Sequence, residues 1–180
     1  KSIPKAVPYI SASDNSNVLL PFSESALKVG MVWAGDPRNP RNLSRTTGLA
    51  PLKKILNVPG CVFYSLQHGE EGDQIINEGL RDSIDDLRPL MKDFGATAGL
   101  VNQMDLVISV CTSVAHLSGG MGVRTWVLLP HDADWRWLLN RSDSPWYPSV
   151  RLFRQKTPDC WAEVVDQVFK SLELFASGEN

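Results

Sequence analysis

Two hydroxyl side chains and a predicted helix start follow an apolar run in the middle of the chain. The run Asp105–Val110 is rich in β-branched residues, which is typical of a strand covered on both faces. Thr112 or Ser113 can then serve as the N-cap of a helix over 114–121. Such a helix directs unpaired amide N–H groups and the positive end of its dipole at the carboxyl end of the strand, which suits a phosphate. An ordinary strand–helix–strand unit without a ligand explains the same residues equally well.

Three arginines, Arg38, Arg41 and Arg45, fall in the loop that follows the first predicted strand. That strand covers 28–34, and the loop 36–47 is otherwise made largely of turn-forming residues. Cations at the carboxyl end of a strand could bind a charged ligand. The alternative is a solvated basic loop, because most surface arginines have no specific partner.

A third polar cluster, which contains Gln67 and Glu70, follows the strand predicted over 61–66. A carboxylate at that position could accept hydrogen bonds from ribose hydroxyls, as in dinucleotide-binding folds. An acidic residue that complements a helix dipole is an equally economical explanation for Glu70. His68 lies in the same loop, but a lone loop histidine is no evidence of catalysis.

A sheet must position these clusters, and the hydrophobic pattern predicts one. Apolar runs that alternate with helical patterns are typical of an α/β fold, here a Rossmann-like parallel sheet with helices on both faces. All the polar clusters then lie at carboxyl ends of strands, where such folds bind ligands. No G-x-G-x-x-G or Walker sequence is present. The predicted strands are 28–34, 61–66, 83–86, 105–110, 123–129 and 150–154, and the predicted helices are 49–56, 74–78, 93–104, 114–121 and 161–176.

Length and composition predict one globular domain. The chain has 180 residues, of which 43% are apolar and 21% charged, as in ordinary soluble proteins. A net charge of −2 gives no support for a nucleic-acid partner. No apolar run approaches the roughly 20 residues of a transmembrane segment. The three cysteines suit free thiols in a reducing compartment, so we expect a protein that is cytoplasmic or peripheral to the inner membrane.

The ends of the chain have a different composition from the rest. Residues 1–27 are rich in proline, serine and asparagine, which is typical of a linker. We assign 28–176 to the globular domain and 177–180 to a tail. Because the chain begins at Lys1 without an initiator Met, we expect it to be a piece of a longer protein.

Four sequence blocks and the predicted closing helix together resemble the C-terminal half of the glycosyltransferase family 9-like proteins. These are relatives of the ADP-heptose:lipopolysaccharide heptosyltransferases and are often fused behind tetratricopeptide repeats in bacteria. The resemblance covers roughly residues 28–175, and Val7–Ile10 looks like the segment that joins the two halves in that family. The blocks are VGMVWAGDP (29–37), SLQHGE (65–70), DLVISVCTSVAHLSGGMGVRTWVLLP (105–130) and DWRWLLNRSDSPWYPSVRLFRQ (134–155).

The resemblance implies the C-terminal domain of a GT-B fold, which binds a nucleotide-diphospho-sugar donor without a metal or other cofactor. Its partner would be an N-terminal acceptor domain of the same native chain. In the family, the helix start after the central strand binds the donor diphosphate. That role maps onto Thr112, Ser113, Val114 and Ala115, with His116 facing the same cleft.

The resemblance also implies roles for the other two polar clusters. A cation after the first strand neutralises the phosphate in that family, and Arg45 and Arg41 both match it. The ends of the first two strands bind the nucleoside, which maps onto Gly35, Gln67 and Glu70.

One position departs from the family's pattern. Cys111 stands where many heptosyltransferases carry an aspartate that touches the transferred sugar, so the identity of the sugar stays open. The family's general base lies in the N-terminal half. We therefore assign no catalytic residue and expect this chain alone to bind donor weakly without turnover.

Two other interpretations remain open. A transferase half that has lost catalysis could bind nucleotide sugars, or proteins through a tryptophan-rich corner, because four of the six tryptophans lie between Trp126 and Trp146. An epimerase of the GT-B type would need acid/base carboxylates, for which Asp132 and Asp134 are the candidates.

Overall fold

The computed structural model describes residues 7–12, 20 and 26–179. Its strands are β1 Leu27–Val32, β2 Cys61–Ser65, β3 Asp85–Asp86, β4 Leu106–Val110, β5 Thr125–Leu129 and β6 Val150–Arg154. Its α-helices are α1 Asn42–Arg45, α2 Gln74–Asn77, α3 Phe94–Val101, α4 Ser113–Gly120 and α5 Trp161–Ala176, and 3₁₀ helices occur at Ala50–Leu52, Ile55–Asn57, Glu70–Asp73, Arg88–Leu90 and Trp135–Trp137. A helix needs about 20 apolar residues to cross a bilayer, and none among the described residues meets that requirement.

The strands form one parallel sheet in the order β3-β2-β1-β4-β5-β6. The chain proceeds outward from β1 to β3, crosses back to place β4 beside β1, and then proceeds outward in the other direction. The strand order therefore reverses between β1 and β4, whose carboxyl ends border the crevice where α/β folds bind ligands. The predicted α/β, Rossmann-like fold class is confirmed.

Alternate residues of the central strands point to opposite faces of the sheet, and helices cover both faces. Leu106 and Ile108 belong to an apolar cluster that includes residues of α5, whereas Val107 between them packs with residues of α3 and α4. Every residue of β4 and β5 is buried. Cover on both faces explains why these strands are continuous apolar runs without polar alternation.

The helix predicted over 49–56 is wrong, because this stretch forms two separate 3₁₀ turns. Pro51 lacks a backbone N–H and is tolerated only in the first turn of a helix. The three-residue repeat of a 3₁₀ turn places Leu49, Leu52 and Ile55 in line. Each of the three is at most 1% exposed, so burial of this row favours the tighter turn.

Several other predicted elements are present but shorter. The helix predicted over 93–104 is α3, which ends at Val101. Asp93 caps it, because its Oδ1 accepts a hydrogen bond from Ala96 N at 2.7 Å. The strand predicted over 83–86 is reduced to the two residues of β3.

The described part of the N-terminal segment, 7–12, lies against the last turn of α4. Tyr9 N and Ile10 N donate hydrogen bonds to Gly120 O, at 3.0 and 3.3 Å. A Cβ on Gly120 would lie 2.8 Å from Cδ1 of Ile10, so a larger residue here would displace the Ile10 side chain. The rest of the predicted linker 1–27 falls mostly outside the described residues.

Candidate functional site

The start of α4 lies at the reversal of strand order and has no side-chain cap. Thr112 occupies the N-cap position with extended backbone angles, φ −134° and ψ 174°, as predicted. Its hydroxyl does not bond α4, however, and pairs with the Ser109 hydroxyl 3.0 Å away. Ser113 is exposed, whereas the side chains of Val114 and Ala115 are buried. The first amides of α4 therefore keep their N–H groups for an external acceptor.

Arg45 lies close to this helix start, across a cavity of about 80 Å³ that Arg45 and Cys111 both line. Gly35 packs against the guanidinium, because a Cβ on Gly35 would lie 2.7 Å from Nη2 of Arg45. Glycine at this position is therefore needed for Arg45 to occupy its place. The remaining lining residues are Asn39, Arg41, Ser44, Pro130, Asp132 and Asp134.

Arg45 is the arginine of the basic loop that forms no ion pair with a described residue. Arg38 is bonded to Asp36, with 2.8 Å between Nη2 and Oδ2, and the hydrogen bonds from Arg38 lower the pKa of Asp36 to about 2. Arg41 pairs with Asp132 at 3.3 Å. Arg45 Nε, in contrast, is buried without a hydrogen-bond partner. This arrangement favours Arg45 over Arg41 as the cation that remains for a ligand.

Four of the five buried side-chain donors that lack a partner among the described residues belong to residues at this carboxyl edge of the sheet. They are Arg45 Nε, Arg154 Nε and Nη1, and Gln155 Nε2. Gln155 is 2% exposed, and only its Oε1 is bonded, to His131 N at 3.1 Å. Each unsatisfied buried donor costs about 1–3 kcal/mol. The edge is therefore suited to an acceptor-rich ligand or to ordered water.

A second cavity, of about 120 Å³, extends this site towards the end of β6. It adjoins the first cavity, since Ser44, Pro130 and Asp132 line both. Gln155 also lines the second cavity but is absent from the sequence-based candidates. The signal that marked the other clusters, a polar residue directly after a buried strand, would have identified it.

Gln67 connects the ends of β1 and β2. Its Oε1 accepts hydrogen bonds from Trp33 N and Ala34 N at 3.0 and 2.9 Å, and its Nε2 donates to Ala34 O and His68 O. Because these bonds occupy the amide and the residue is 2% exposed, Gln67 shapes this end of the sheet from within. Gln67 and Glu70 are both predicted to bind the nucleoside, and of the two it is Glu70 whose side chain is exposed to solvent.

His116 lies between two aromatic side chains. Its ring stacks on Trp137, with centroids 5.0 Å apart and planes at 18°, and its Nδ1 lies 3.0 Å from the Tyr147 hydroxyl. Burial, followed by the nearby charge of Arg136, lowers the pKa of His116 below its usual value. His116 is therefore a neutral imidazole at pH 7, and it lines neither of the two cavities.

The lowered pKa of His116 predicts a pH dependence of stability. The unfolded chain takes up this proton near the usual histidine pKa of about 6.5, before the folded chain does. The free energy of unfolding should therefore fall as pH drops from 8 to 5, and His116→Gln should flatten that fall. Urea unfolding at pH 8 and at pH 5 measures this change in the free energy of unfolding. His68→Gln, at an exposed histidine, is the control for the removal of one imidazole. Equal slopes for His116→Gln and the parent chain would contradict the assignment.

Cys111 places a neutral thiol beside the start of α4. Trp137 Nε1 donates a hydrogen bond to its Sγ at 3.1 Å. Burial raises the pKa of the thiol, which outweighs the opposite effects of Trp137 and Arg45. The position therefore carries no negative charge at neutral pH, unlike an aspartate.

Asp132 and Asp134 are both paired with arginines. Asp132 bonds Arg41, and Asp134 Oδ1 lies 2.9 Å from Arg136 Nη1. Burial acts to raise the pKa of Asp134, but the hydrogen bonds from the backbone and side chain of Arg136 together hold it below its ordinary value. Asp134 is thus ionised at neutral pH and cannot act there as a proton donor.

No family model matches the chain. A curated relative, Protein FlbA of Caulobacter vibrioides, is 27% identical over 154 residues, which cover 83% of this chain and 26% of that protein. The chain therefore spans about a quarter of the length of this relative. Since the name of that relative states no activity, function must be argued from the geometry of the site.

Proposed function

We propose that this chain is the donor-binding half of a GT-B glycosyltransferase that transfers a sugar from a nucleotide-diphospho-sugar to an acceptor hydroxyl. The observation that carries the proposal is the buried, unpartnered Nε of Arg45, which lies beside the uncapped start of α4 where the strand order reverses. A diphosphate supplies both the negative charge and the acceptor oxygens that these groups lack.

The same groups would assist departure of the diphosphate. Negative charge develops on the leaving diphosphate in the transition state, and fixed donors aimed at that charge lower the barrier. The amides at the start of α4 and the Arg45 guanidinium are such donors. Together they supply positive charge without a metal ion or other cofactor.

We assign the nucleoside to the ends of β1 and β2. Glu70 is exposed there and can accept hydrogen bonds from ribose hydroxyls. Two residues support this part of the site. Gly35 leaves space for the Arg45 side chain, and the hydrogen bonds of Gln67 fix the backbone of residues 33 and 34.

The general base is assigned to an acceptor domain elsewhere in the native protein. Asp132 and Asp134 are bonded to arginines, and His116 is stacked between aromatic rings outside the two cavities. The described residues of the site therefore offer binding and charge stabilisation and no base directed at an acceptor. We further propose a cytoplasmic location, which the three free cysteines support.

A non-catalytic nucleotide-sugar or protein-binding module is the second candidate. The observation that favours it is the neutral thiol of Cys111 at the position where many heptosyltransferases carry a carboxylate. Such a module would keep the diphosphate contacts and lose contact with the sugar.

Calorimetric titration of the chain tests the proposal. ADP, UDP and GDP are compared with their monophosphates, because the site is built for a diphosphate. We expect at least one diphosphate to bind about tenfold more tightly than its monophosphate and to raise the melting temperature. No detectable binding of any diphosphate, or equal affinity for the monophosphates, would contradict the proposal. If every nucleotide sugar derived from the preferred diphosphate binds with the same affinity as the free diphosphate, the non-catalytic module is favoured.

A further inference from the structure

A third cavity lies at the opposite, amino edge of the sheet, where β5 and β6 begin. Its volume is about 580 Å³, which is larger than either cavity at the carboxyl edge. It shares no lining residue with them, so the proposed donor site does not explain it. The lining residues that determine its chemistry are Arg124, Trp126, Ser149, Arg151, Leu174 and Phe175.

Strand alternation brings two arginines to one face beside this cavity. The register of β5 and β6 pairs Trp126 with Arg151, and Arg124 lies two residues before Trp126, so all three side chains share a face. The guanidinium carbon of Arg124 lies 4.5 Å from the Phe175 ring centroid, and that of Arg151 lies 4.7 Å from the Phe153 ring centroid. Each guanidinium group thus lies within cation–π distance of a ring, and this contact does not use its N–H donors.

Neither Arg124 nor Arg151 forms an ion pair with a described residue. Glu179 also lines the cavity, and Asp143, which pairs with Arg141, lies opposite Arg151 in an isolated backbone bridge. The hydroxyl of Ser149, which directly precedes β6 and lines the cavity, is buried and makes no hydrogen bond with a described residue. Two guanidinium edges and a hydroxyl together match the oxygens of a phosphate group.

The remaining wall of the cavity is apolar. Leu174 is 51% exposed although it is a large hydrophobic residue, and Phe175 is partly buried against the core beside it. An inorganic anion would leave this apolar surface in water, whereas an organic ligand would cover it.

We infer that this cavity binds a small organic phosphate, with the phosphate at Arg124 and Arg151 and its apolar body against Leu174 and Phe175. A phosphate monoester carries a charge of about −2 at neutral pH, which matches two arginines. The inference is independent of the proposed donor site, because the two sites lie at opposite edges of the sheet.

Phenyl phosphate, inorganic phosphate and phenol serve as probes in titrations followed by NMR of the Trp126 indole N–H. We expect phenyl phosphate to shift this signal and to bind at least tenfold more tightly than the other two. Arg124→Gln and Arg151→Gln should each weaken phenyl phosphate about tenfold. Two control variants should leave the affinity of this cavity for phenyl phosphate unchanged. They are Arg81→Gln, at an exposed arginine elsewhere, and Arg45→Met, at the proposed donor site.

The same titrations can overturn the inference. If phenol binds as tightly as phenyl phosphate, the phosphate contributes nothing to the affinity and the cavity is only an apolar cleft. If inorganic phosphate binds as tightly as phenyl phosphate, the apolar part of the ligand contributes nothing to the affinity. Unchanged affinity in the Arg124→Gln, Arg151→Gln double variant would contradict the assignment of the phosphate. Because both arginines are exposed, these variants should fold, which the dispersion of the spectrum checks.

Discussion

Arg45→Met should weaken binding of the preferred nucleoside diphosphate about thirtyfold. A charge-assisted hydrogen bond contributes about 2 kcal/mol, and this free energy corresponds to that ratio of dissociation constants. Methionine keeps an unbranched chain against Gly35 while it removes the charge and the donors. Calorimetry with the diphosphate identified for the parent chain measures the change.

Arg38→Met is the matched control. It removes an arginine from the same loop, but one that is exposed and bonded to Asp36, so we expect unchanged affinity. Folding should tolerate Arg45→Met, because the substitution removes a buried donor that has no partner. If the two variants bind the diphosphate equally well, Arg45 is not the cation of the donor site.

Trp137→Ala should lower the free energy of unfolding by about 4 kcal/mol, within the range for large aromatic deletions in cores. The side chain is 0% exposed, stacks on His116 and donates its indole N–H to Cys111. Its removal therefore leaves a cavity and loses a contact that holds the loop after β5 against α4. Urea unfolding followed by circular dichroism measures the effect.

Trp135→Ala provides the comparison, because it removes the same side chain two residues away. Trp135 is 65% exposed, and its ring faces the Arg136 guanidinium at 4.8 Å. We expect this variant to lose less than about 1 kcal/mol. Similar losses from both substitutions would mean that Trp137 does not anchor the corner as described.

Periodicity alone predicted much of the fold. Five apolar residues of the helix predicted over 161–176 recur at helical spacing, which predicts that they face the core. Val165, Val168 and Leu172 are buried, and Phe169 and Phe175 pack partly buried against the same cluster. The pattern succeeds there because burial of a helix stripe depends only on spacing along the chain.

Periodicity could not predict which side chains of the site are free for a ligand, because that depends on hydrogen-bond partners distant in sequence. The amide of Gln67 is taken by the backbone of Trp33 and Ala34, more than thirty residues earlier. The choice between Arg41 and Arg45 depends on Asp132, which lies 91 residues from Arg41. A polar cluster after a strand therefore predicts where ligands meet the sheet, but not which of its side chains are left for them.

The contact between the N-terminal segment and α4 has a mechanical consequence. Residues 9 and 10 are bonded to the last residue of a helix whose first residue borders the proposed diphosphate site. The helix has eight residues and is thus about 12 Å long. We expect a displacement of Tyr9 and Ile10 to move α4 as a rigid helix. Such a displacement would therefore change the direction of the amides at the start of α4.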